Sequence, residues 1–81
     1  MKVIEYLQNF KQDQPCTVNG NRVWDYKMSE DKSEIRLISE QVQGSDTFED
    51  IYPQEIQDYA GLFTETADVI DESTGKLVKS I

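Results

Sequence analysis

The dipeptide Asn19-Gly20 is the feature that most restricts how this chain can fold. Both residues tolerate positive φ angles, and such a pair between apolar strands is the strongest short signal for a β-hairpin. After this turn, alternation places the side chains of the second strand on two opposite faces. Trp24, Tyr26 and Met28 share one face, and Val23, Asp25 and Lys27 share the other. A polar run at residues 29–33 then turns the chain into a third strand, whose apolar residues are Ile35 and Leu37.

The length of the Asn-Gly loop decides the register of the predicted hairpin. A two-residue loop would pair Val18 with Asn21. A three-residue loop would pair Val18 with Arg22 and Cys16 with Trp24. We favour the longer loop, because it keeps the apolar residues of both strands on one face of the sheet.

An amphipathic helix is predicted at the start of the chain. Its apolar positions i, i+1, i+4 and i+7 are occupied by Val3, Ile4, Leu7 and Phe10, the stripe that a surface helix buries, and Tyr6 widens this stripe. The helix should have about three turns of 3.6 residues each. It should end near Asp13, because Pro15 disfavours helical dihedral angles at the residue before it.

A short second helix and a C-terminal hairpin are predicted in the last third of the chain. Pro53 suits the first turn of a helix over PQEIQDYA, and Gly61 ends it. In the hairpin, residues 71–75 have turn chemistry and include a glycine that tolerates positive φ. The alternating apolar residues of its first strand are Phe63, Ala67 and Val69.

These elements predict an α+β fold consisting of an N-terminal helix, a three-stranded antiparallel meander, a short helix and a C-terminal β-hairpin. The alternating strands favour one buried sheet face, which the helices cover. With 81 residues, the chain should form one small domain over residues 1–81. A domain of this size buries only about 60% of its unfolded-chain surface, so its core is limited.

The composition excludes several kinds of chemistry. Without histidine, the chain cannot form Ser-His or Cys-His nucleophiles or the common zinc sites. The single Cys16 cannot form an internal disulfide, and a free cysteine of this kind is more often a core residue than a nucleophile. Neither a calcium loop nor a Gly-rich phosphate loop fits the spacing. We therefore expect no enzyme activity, no cofactor and no metal.

The start of the chain does not have the pattern of a signal peptide. Glu5 and Gln8 interrupt the stretch that would have to be apolar, and no window approaches about 18 apolar residues. We expect a soluble, cytoplasmic protein with no membrane partner.

Negative charge is concentrated in one half of the sequence. The chain has a net charge of -8, with 16 acidic and 8 basic residues. Residues 1–36 contain six acids and six bases, whereas residues 37–75 contain ten acids and no base. Such a separation indicates an interaction surface for a basic partner, and it opposes direct binding to nucleic acid.

The acidic half contains a candidate partner-binding segment between residues 46 and 59. If the segment is helical, acids spaced i, i+3 and i+4 fall on one stripe. Asp46, Glu49 and Asp50 have this spacing, as do Glu55 and Asp58. The interleaved Tyr52 and Tyr59 add aromatic side chains of the kind enriched at interface hot spots.

With these features the chain resembles the small acidic proteins that bacteriophages and mobile elements use against host defence, in particular anti-CRISPR inhibitors that occupy the basic DNA-binding groove of a CRISPR effector. The resemblance lies in size, acidity, the amphipathic N-terminal helix, the three-stranded sheet and the acidic, tyrosine-containing segment from Asp46 to Tyr59. It implies inhibition by mimicry, in which carboxylates take the place of phosphates against the arginines and lysines that read DNA.

Three other interpretations stay open at this stage. The acidic half is a solvated, solubilising face in the simplest of them. In the second, the protein is a small regulatory or adaptor subunit, or a homodimer, with an exposed apolar face at Val23 and Ile38. The third is a carboxylate enzyme, which needs a pocket that holds a carboxylate of raised pKa, and no pair of acids has a spacing that identifies one.

Overall fold

The computed structural model describes residues 1–39 and 49–79, which form an α+β fold as predicted. Two α-helices, one 3₁₀ helix and six short strands account for its regular structure in these ranges. In chain order they are α1 (Val3–Leu7), β1 (Thr17–Val18), β2 (Asn21–Arg22), β3 (Asp25–Met28), β4 (Glu34–Ile38), α2 (Pro53–Ala60), the 3₁₀ helix (Gly61–Phe63), β5 (Asp68–Asp71) and β6 (Lys76–Leu77).

The central sheet has four strands in the order β3-β4-β5-β6. Its outer pairs, β3 with β4 and β5 with β6, are antiparallel, so the predicted C-terminal hairpin is confirmed. The middle pair, β4 with β5, is parallel, and the sheet is therefore mixed instead of antiparallel. A parallel pair needs a crossover connection, and α2 lies in the chain between these two strands.

The Asn19-Gly20 hairpin forms with the shorter loop. Val18 pairs with Asn21 and Thr17 with Arg22, so the preferred three-residue loop is wrong. Asn19 and Gly20 both have positive φ, 53° and 81°, as a two-residue hairpin turn of the primed type requires.

The predicted meander is divided because its second strand is interrupted after Arg22. β1 and β2 form a separate two-stranded sheet, and β3 joins the four-stranded one. Between them the Val23 N–H donates to the carbonyl of Cys16, and the Trp24 N–H donates to the carbonyl of Ile38. This interruption lets Val23 become fully buried, although simple alternation had placed it on the face opposite Trp24. Since Ile38 is also half-buried, the apolar face predicted at Val23 and Ile38 is wrong.

The register of the sheet defines one apolar face. Met28, Ile35 and Val69 lie side by side in one row across β3, β4 and β5, and Tyr26, Leu37 and Asp71 form the next row. Ile35, Leu37 and Val69 are fully buried. They belong to one core cluster with residues from both helices: Val3, Tyr6, Ile56 and Ala60. The helices therefore cover this face, as predicted.

Helix α1 is much shorter than predicted, since it ends at Leu7 instead of near Asp13. Its buried residues are Val3 and Tyr6, whereas Ile4 is 37% exposed. These residues are buried because the segment before the helix pairs with β5, where the Val69 N–H donates to the Met1 carbonyl at 2.9 Å. This docking turns Val3 and Tyr6 towards the core, where the Tyr6 hydroxyl donates to the Thr17 carbonyl at 2.8 Å.

Helix α2 has the predicted bounds. Pro53 occupies its first turn, and Gly61 ends it with φ of 56°, a value that favours glycine. Ile56 and Ala60 are buried on its inner side, and Tyr59 is 46% exposed. The prediction that Phe63 begins a strand is wrong, because the 3₁₀ helix continues from α2 and the strand starts only at Asp68.

A buried carboxylate joins the two hairpins. Asp71, at the end of β5, is 4% exposed and faces the core side of the sheet. Its carboxylate accepts hydrogen bonds from the Asn19 side-chain amide at 3.2 Å and from the Ser73 hydroxyl at 2.8 Å. The Asn19 turn is thereby held against the C-terminal hairpin. None of the helices within residues 1–39 and 49–79 has the length and apolarity needed to cross a membrane.

Candidate protein-binding cleft

A cleft of about 570 Å³ opens between β3, helix α2 and the segment that precedes this helix. We call it the acidic cleft. It is lined by Trp24, Asp25, Tyr26, Glu49, Asp50, Ile51, Glu55 and Tyr59. Four of these side chains are carboxylates and three are aromatic, so the cleft combines negative charge with flat apolar walls.

Backbone hydrogen bonds fix the position of the segment before α2. The Ile51 N–H donates to the Val23 carbonyl at 3.3 Å, and the Ile51 carbonyl accepts from the Cys16 N–H at 2.8 Å. The Ile51 side chain is buried in the core. Glu49 and Asp50 are therefore held beside Trp24 and β3.

Two tyrosines form the wall between β3 and α2. The rings of Tyr26 and Tyr59 meet edge to face, with centroids 4.7 Å apart and an interplanar angle of 67°. The Tyr59 hydroxyl accepts a hydrogen bond from the Met28 N–H at 3.0 Å, and the Tyr26 hydroxyl donates to Glu55 Oε2, also at 3.0 Å. Both hydroxyls are thus oriented by the protein, while nearly half of the Tyr59 surface is exposed to solvent.

The environment of Tyr26 favours its neutral form. Burial, the hydrogen bond to Glu55 and the negative charge of Glu55 raise the pKa of Tyr26 to about 12, with smaller contributions from Tyr59 and Asp25. At neutral pH the Tyr26 hydroxyl therefore remains a hydrogen-bond donor that orients the Glu55 carboxylate.

This pKa can be tested by alkaline spectrophotometric titration. The pKa of an unfolded tyrosine is about 10, so the stability that the folded environment of Tyr26 provides is present below pH 10 and is lost as the pH rises towards 12. We expect Tyr26→Phe to remove one tyrosinate signal from the part of the titration near pH 12. Glu55→Gln should move that signal towards lower pH, because it removes the negative charge of Glu55, which raises the pKa of Tyr26.

Asp58→Asn is the matched control for Glu55→Gln. Asp58 lies on the same helix, but its carboxylate accepts from the Gln54 side chain at 2.8 Å instead of from Tyr26. The titration of Asp58→Asn should follow that of the unchanged protein. An equal shift in both variants would show that general charge, and not the Tyr26–Glu55 contact, determines the pKa of Tyr26.

One internal cation reaches the acidic cleft. Arg22, in β2, pairs through Nε with the Asp50 carboxylate. The cleft therefore contains four carboxylates and one neighbouring guanidinium, and its net charge stays negative.

The structure brings together four of the predicted partner-binding residues. Glu49, Asp50, Glu55 and Tyr59 all line the acidic cleft. The predicted helical stripe is wrong for Glu49 and Asp50, because α2 begins only at Pro53 and these two acids precede it in irregular chain. They converge with Glu55 through the hydrogen bonds of Ile51 and not through helical periodicity.

Of the other three predicted residues, Tyr52 and Asp58 do not line the cleft. Tyr52 is the N-cap residue of α2 and is 39% exposed. Asp58 is exposed on the solvent side of α2. Asp46 lies outside the residues that the structure describes.

Sequence reasoning missed the contribution of β3 to this site. The sequence places Trp24 and Tyr26 on one strand face with Met28; both are partly buried, and both also form walls of the cleft. Asp25 was regarded only as a residue of the opposite strand face. No local pattern links residues 24–26 to residues 49–59, because their contact arises from tertiary structure.

The single cysteine is a core residue. Cys16 is fully buried, and burial raises the pKa of its thiol to about 12, so it is protonated at neutral pH. This position confirms the prediction of a core cysteine. In the described parts of the chain, no three His, Cys, Asp or Glu side chains are grouped closely enough to hold a metal ion.

Comparison with protein-family models, with curated proteins and with solved structures found no match to this chain. The interpretation of the acidic cleft therefore rests on its own geometry and charge.

Proposed function

We propose that this protein is a non-enzymatic, acidic binding module that docks on the basic surface of a nucleic-acid-handling enzyme and blocks its DNA-binding groove. The observation that carries the proposal is the acidic cleft, in which four carboxylates and three aromatic rings from separate parts of the chain converge. A solvated face needs no such convergence with aromatic side chains. The resemblance to anti-CRISPR inhibitors makes a CRISPR effector the proposed class of partner.

The chemistry of the acidic cleft suits an arginine side chain of the partner. A guanidinium can donate two parallel hydrogen bonds to a carboxylate, which is why arginine recognises carboxylates and phosphates alike. The partly exposed ring of Tyr59 offers a cation–π contact to the same group. A partner arginine that normally contacts a phosphate or a guanine edge could donate the same paired hydrogen bonds to a carboxylate of the cleft.

Helix α2 extends this acidic surface beyond the cleft. Glu55 and Asp58 are separated by three residues, or about 4.5 Å along the helix axis. Along the axis, this separation lies between one and two base-pair rises of about 3.4 Å in duplex DNA. The exposed Tyr52 and Tyr59 flank these acids and supply the aromatic contacts typical of interface hot spots.

A pull-down from a host lysate tests this function. The immobilised protein should recover a nucleic-acid-binding protein at low salt, and recovery should fall as salt rises because the contact is electrostatic. Duplex DNA added as a competitor should release the recovered protein. The proposal is wrong if no nucleic-acid-binding protein is recovered in either low or moderate salt, or if the recovered complex binds DNA as well as the free partner does.

A further inference from the structure

The turn between β1 and β2 exposes a reactive pair of residues. Asn19 and Gly20 are both exposed, and both have positive φ angles. The chain has three asparagines, Asn9, Asn19 and Asn21, and of these only Asn19 is followed by glycine. Because glycine has no Cβ, the backbone nitrogen after Asn19 is the least hindered of the three in its approach to the side-chain amide.

The Asn19 side chain also joins the two hairpins of the fold. Its amide donates a hydrogen bond to the Asp71 carboxylate, with Nδ2 and Oδ2 3.2 Å apart. Asp71 is 4% exposed, and the Asn19 amide donates to it together with the backbone N–H and the hydroxyl of Ser73. A buried carboxylate depends on such donors, because burying a charge without them is costly. A chemical change at Asn19 therefore acts directly on Asp71.

We propose that Asn19 is a site of spontaneous modification, at which deamidation replaces the side-chain amide with a carboxylate and weakens the contact between the Asn-Gly turn and the C-terminal hairpin. The reaction needs only water. The backbone nitrogen of Gly20 bonds to Cγ of Asn19, the bond from Cγ to Nδ2 breaks, and Nδ2 leaves as ammonia with the proton of the Gly20 amide. Water then opens the succinimide ring at Cγ to give aspartate, or at the backbone carbonyl to give isoaspartate. Neither step is an oxidation or a reduction.

The product does not suit its position beside Asp71. An amide donates to a carboxylate, whereas an ionised carboxylate at residue 19 can only accept, so the hydrogen bond is lost and two negative charges lie close together. Lys76 and Lys79 line the same groove, but both are exposed, and exposed ion pairs contribute little. Isoaspartate also adds one atom to the backbone, which does not fit a two-residue turn.

The reaction can be measured on the full chain, incubated in weakly alkaline buffer and analysed over time by peptide mapping with mass spectrometry. Asn19 should exchange NH₂ for OH at least about tenfold faster than Asn21, and isoaspartate should be found at residue 19. Asn21 is the internal control, because it is exposed in the same hairpin but is followed by Arg22. The rate should rise with pH, because the Gly20 nitrogen attacks as its anion.

A pair of substitutions tests what the modification does to the fold. Asn19→Asp reproduces the aspartate product in a turn that Asp-Gly also suits, and it should lower the midpoint of thermal unfolding. Adding Asp71→Asn restores one amide and one carboxylate with their places exchanged, while the new amide oxygen still accepts from Ser73. The double variant should recover at least about half of the lost midpoint, because the two positions are coupled.

Two results would overturn this inference. The first is deamidation at Asn19 that is no faster than at Asn21. The second is a midpoint that Asn19→Asp leaves unchanged, or a loss that Asp71→Asn does not recover, since either would mean that the contact between the hairpins does not respond to the new charge. Asn19 and Asp71 do not line the acidic cleft, so this inference and the proposed function fail independently.

Discussion

Leu37→Ala is expected to lower the free energy of unfolding by about 2–5 kcal/mol, the range measured for leucine truncation in protein cores. Leu37 is fully buried in β4, which pairs with a strand on each side. Its cross-strand neighbours are Tyr26 and Asp71, so truncation opens a cavity in the middle of the sheet. Chains of this length have a total stability of about 4–12 kcal/mol, and the substitution therefore removes a large part of it.

Leu62→Ala is the control with the same chemical change at an exposed position. Leu62 is 95% exposed, so its truncation should change the free energy of unfolding by less than about 0.5 kcal/mol. Urea denaturation followed by circular dichroism measures both variants. A loss at Leu62 comparable to that at Leu37 would mean that Leu62 packs in the folded chain, which would contradict the fold.

The elements whose bounds were predicted correctly begin or end at a proline or a glycine. Helix α2 begins with Pro53 and ends before Gly61, and the C-terminal hairpin turns at a glycine with positive φ, Gly75. The pairing of β4 with β5 was not predictable in the same way. Apolar alternation has the same period in parallel and antiparallel strands, so Ile35 and Val69 carry no signal for their parallel register.

The break between β2 and β3 had no local signal either. The residues from Asn21 to Met28 read as one strand, and nothing in their alternation marks the interruption at Val23 and Trp24. At this point the backbone changes partners: the Val23 N–H still donates to Cys16 in the hairpin, whereas the Val23 carbonyl accepts from Ile51 and the Trp24 N–H donates to Ile38. The hydrogen bonds of Ile51 also bring Glu49 and Asp50 to the cleft, and no local pattern in the sequence predicts that these two acids lie beside Trp24.

The acidic half of the sequence and the acidic cleft share several residues, because charge density is visible without knowledge of the fold. Glu49, Asp50, Glu55 and Tyr59 were found in this way, and all line the cleft. The aromatic wall at Tyr26 was not found in this way, because the contact between Tyr26 and Tyr59 joins residues 33 positions apart in the chain. The charge pattern therefore indicates the acidic segment, whereas the strand register determines which aromatic side chains face the acids.

Reversing Glu49 and Glu55 to lysine should abolish binding to the nucleic-acid-binding protein recovered in the pull-down, with a loss of at least about 100-fold, or about 2.7 kcal/mol. Both carboxylates line the acidic cleft, so each reversal replaces an attraction for a partner cation with repulsion. Adding Asp46, Asp50 and Asp58 to the reversed set extends the change to every predicted acid of the surface. Affinity is measured by calorimetry at constant salt, and circular dichroism verifies that each variant is folded.

The matched control reverses Glu5 and Asp13, which are exposed and lie outside the acidic cleft. Each double reversal changes the net charge from -8 to -4, so the two variants have equal total charge and differ only in where it sits. The control should lose less than about threefold in affinity, since exposed charges away from an interface are screened within about 8 Å at physiological salt. Equal losses in both variants would show that long-range attraction between whole molecules, and not the cleft beside Tyr26 and Tyr59, accounts for binding.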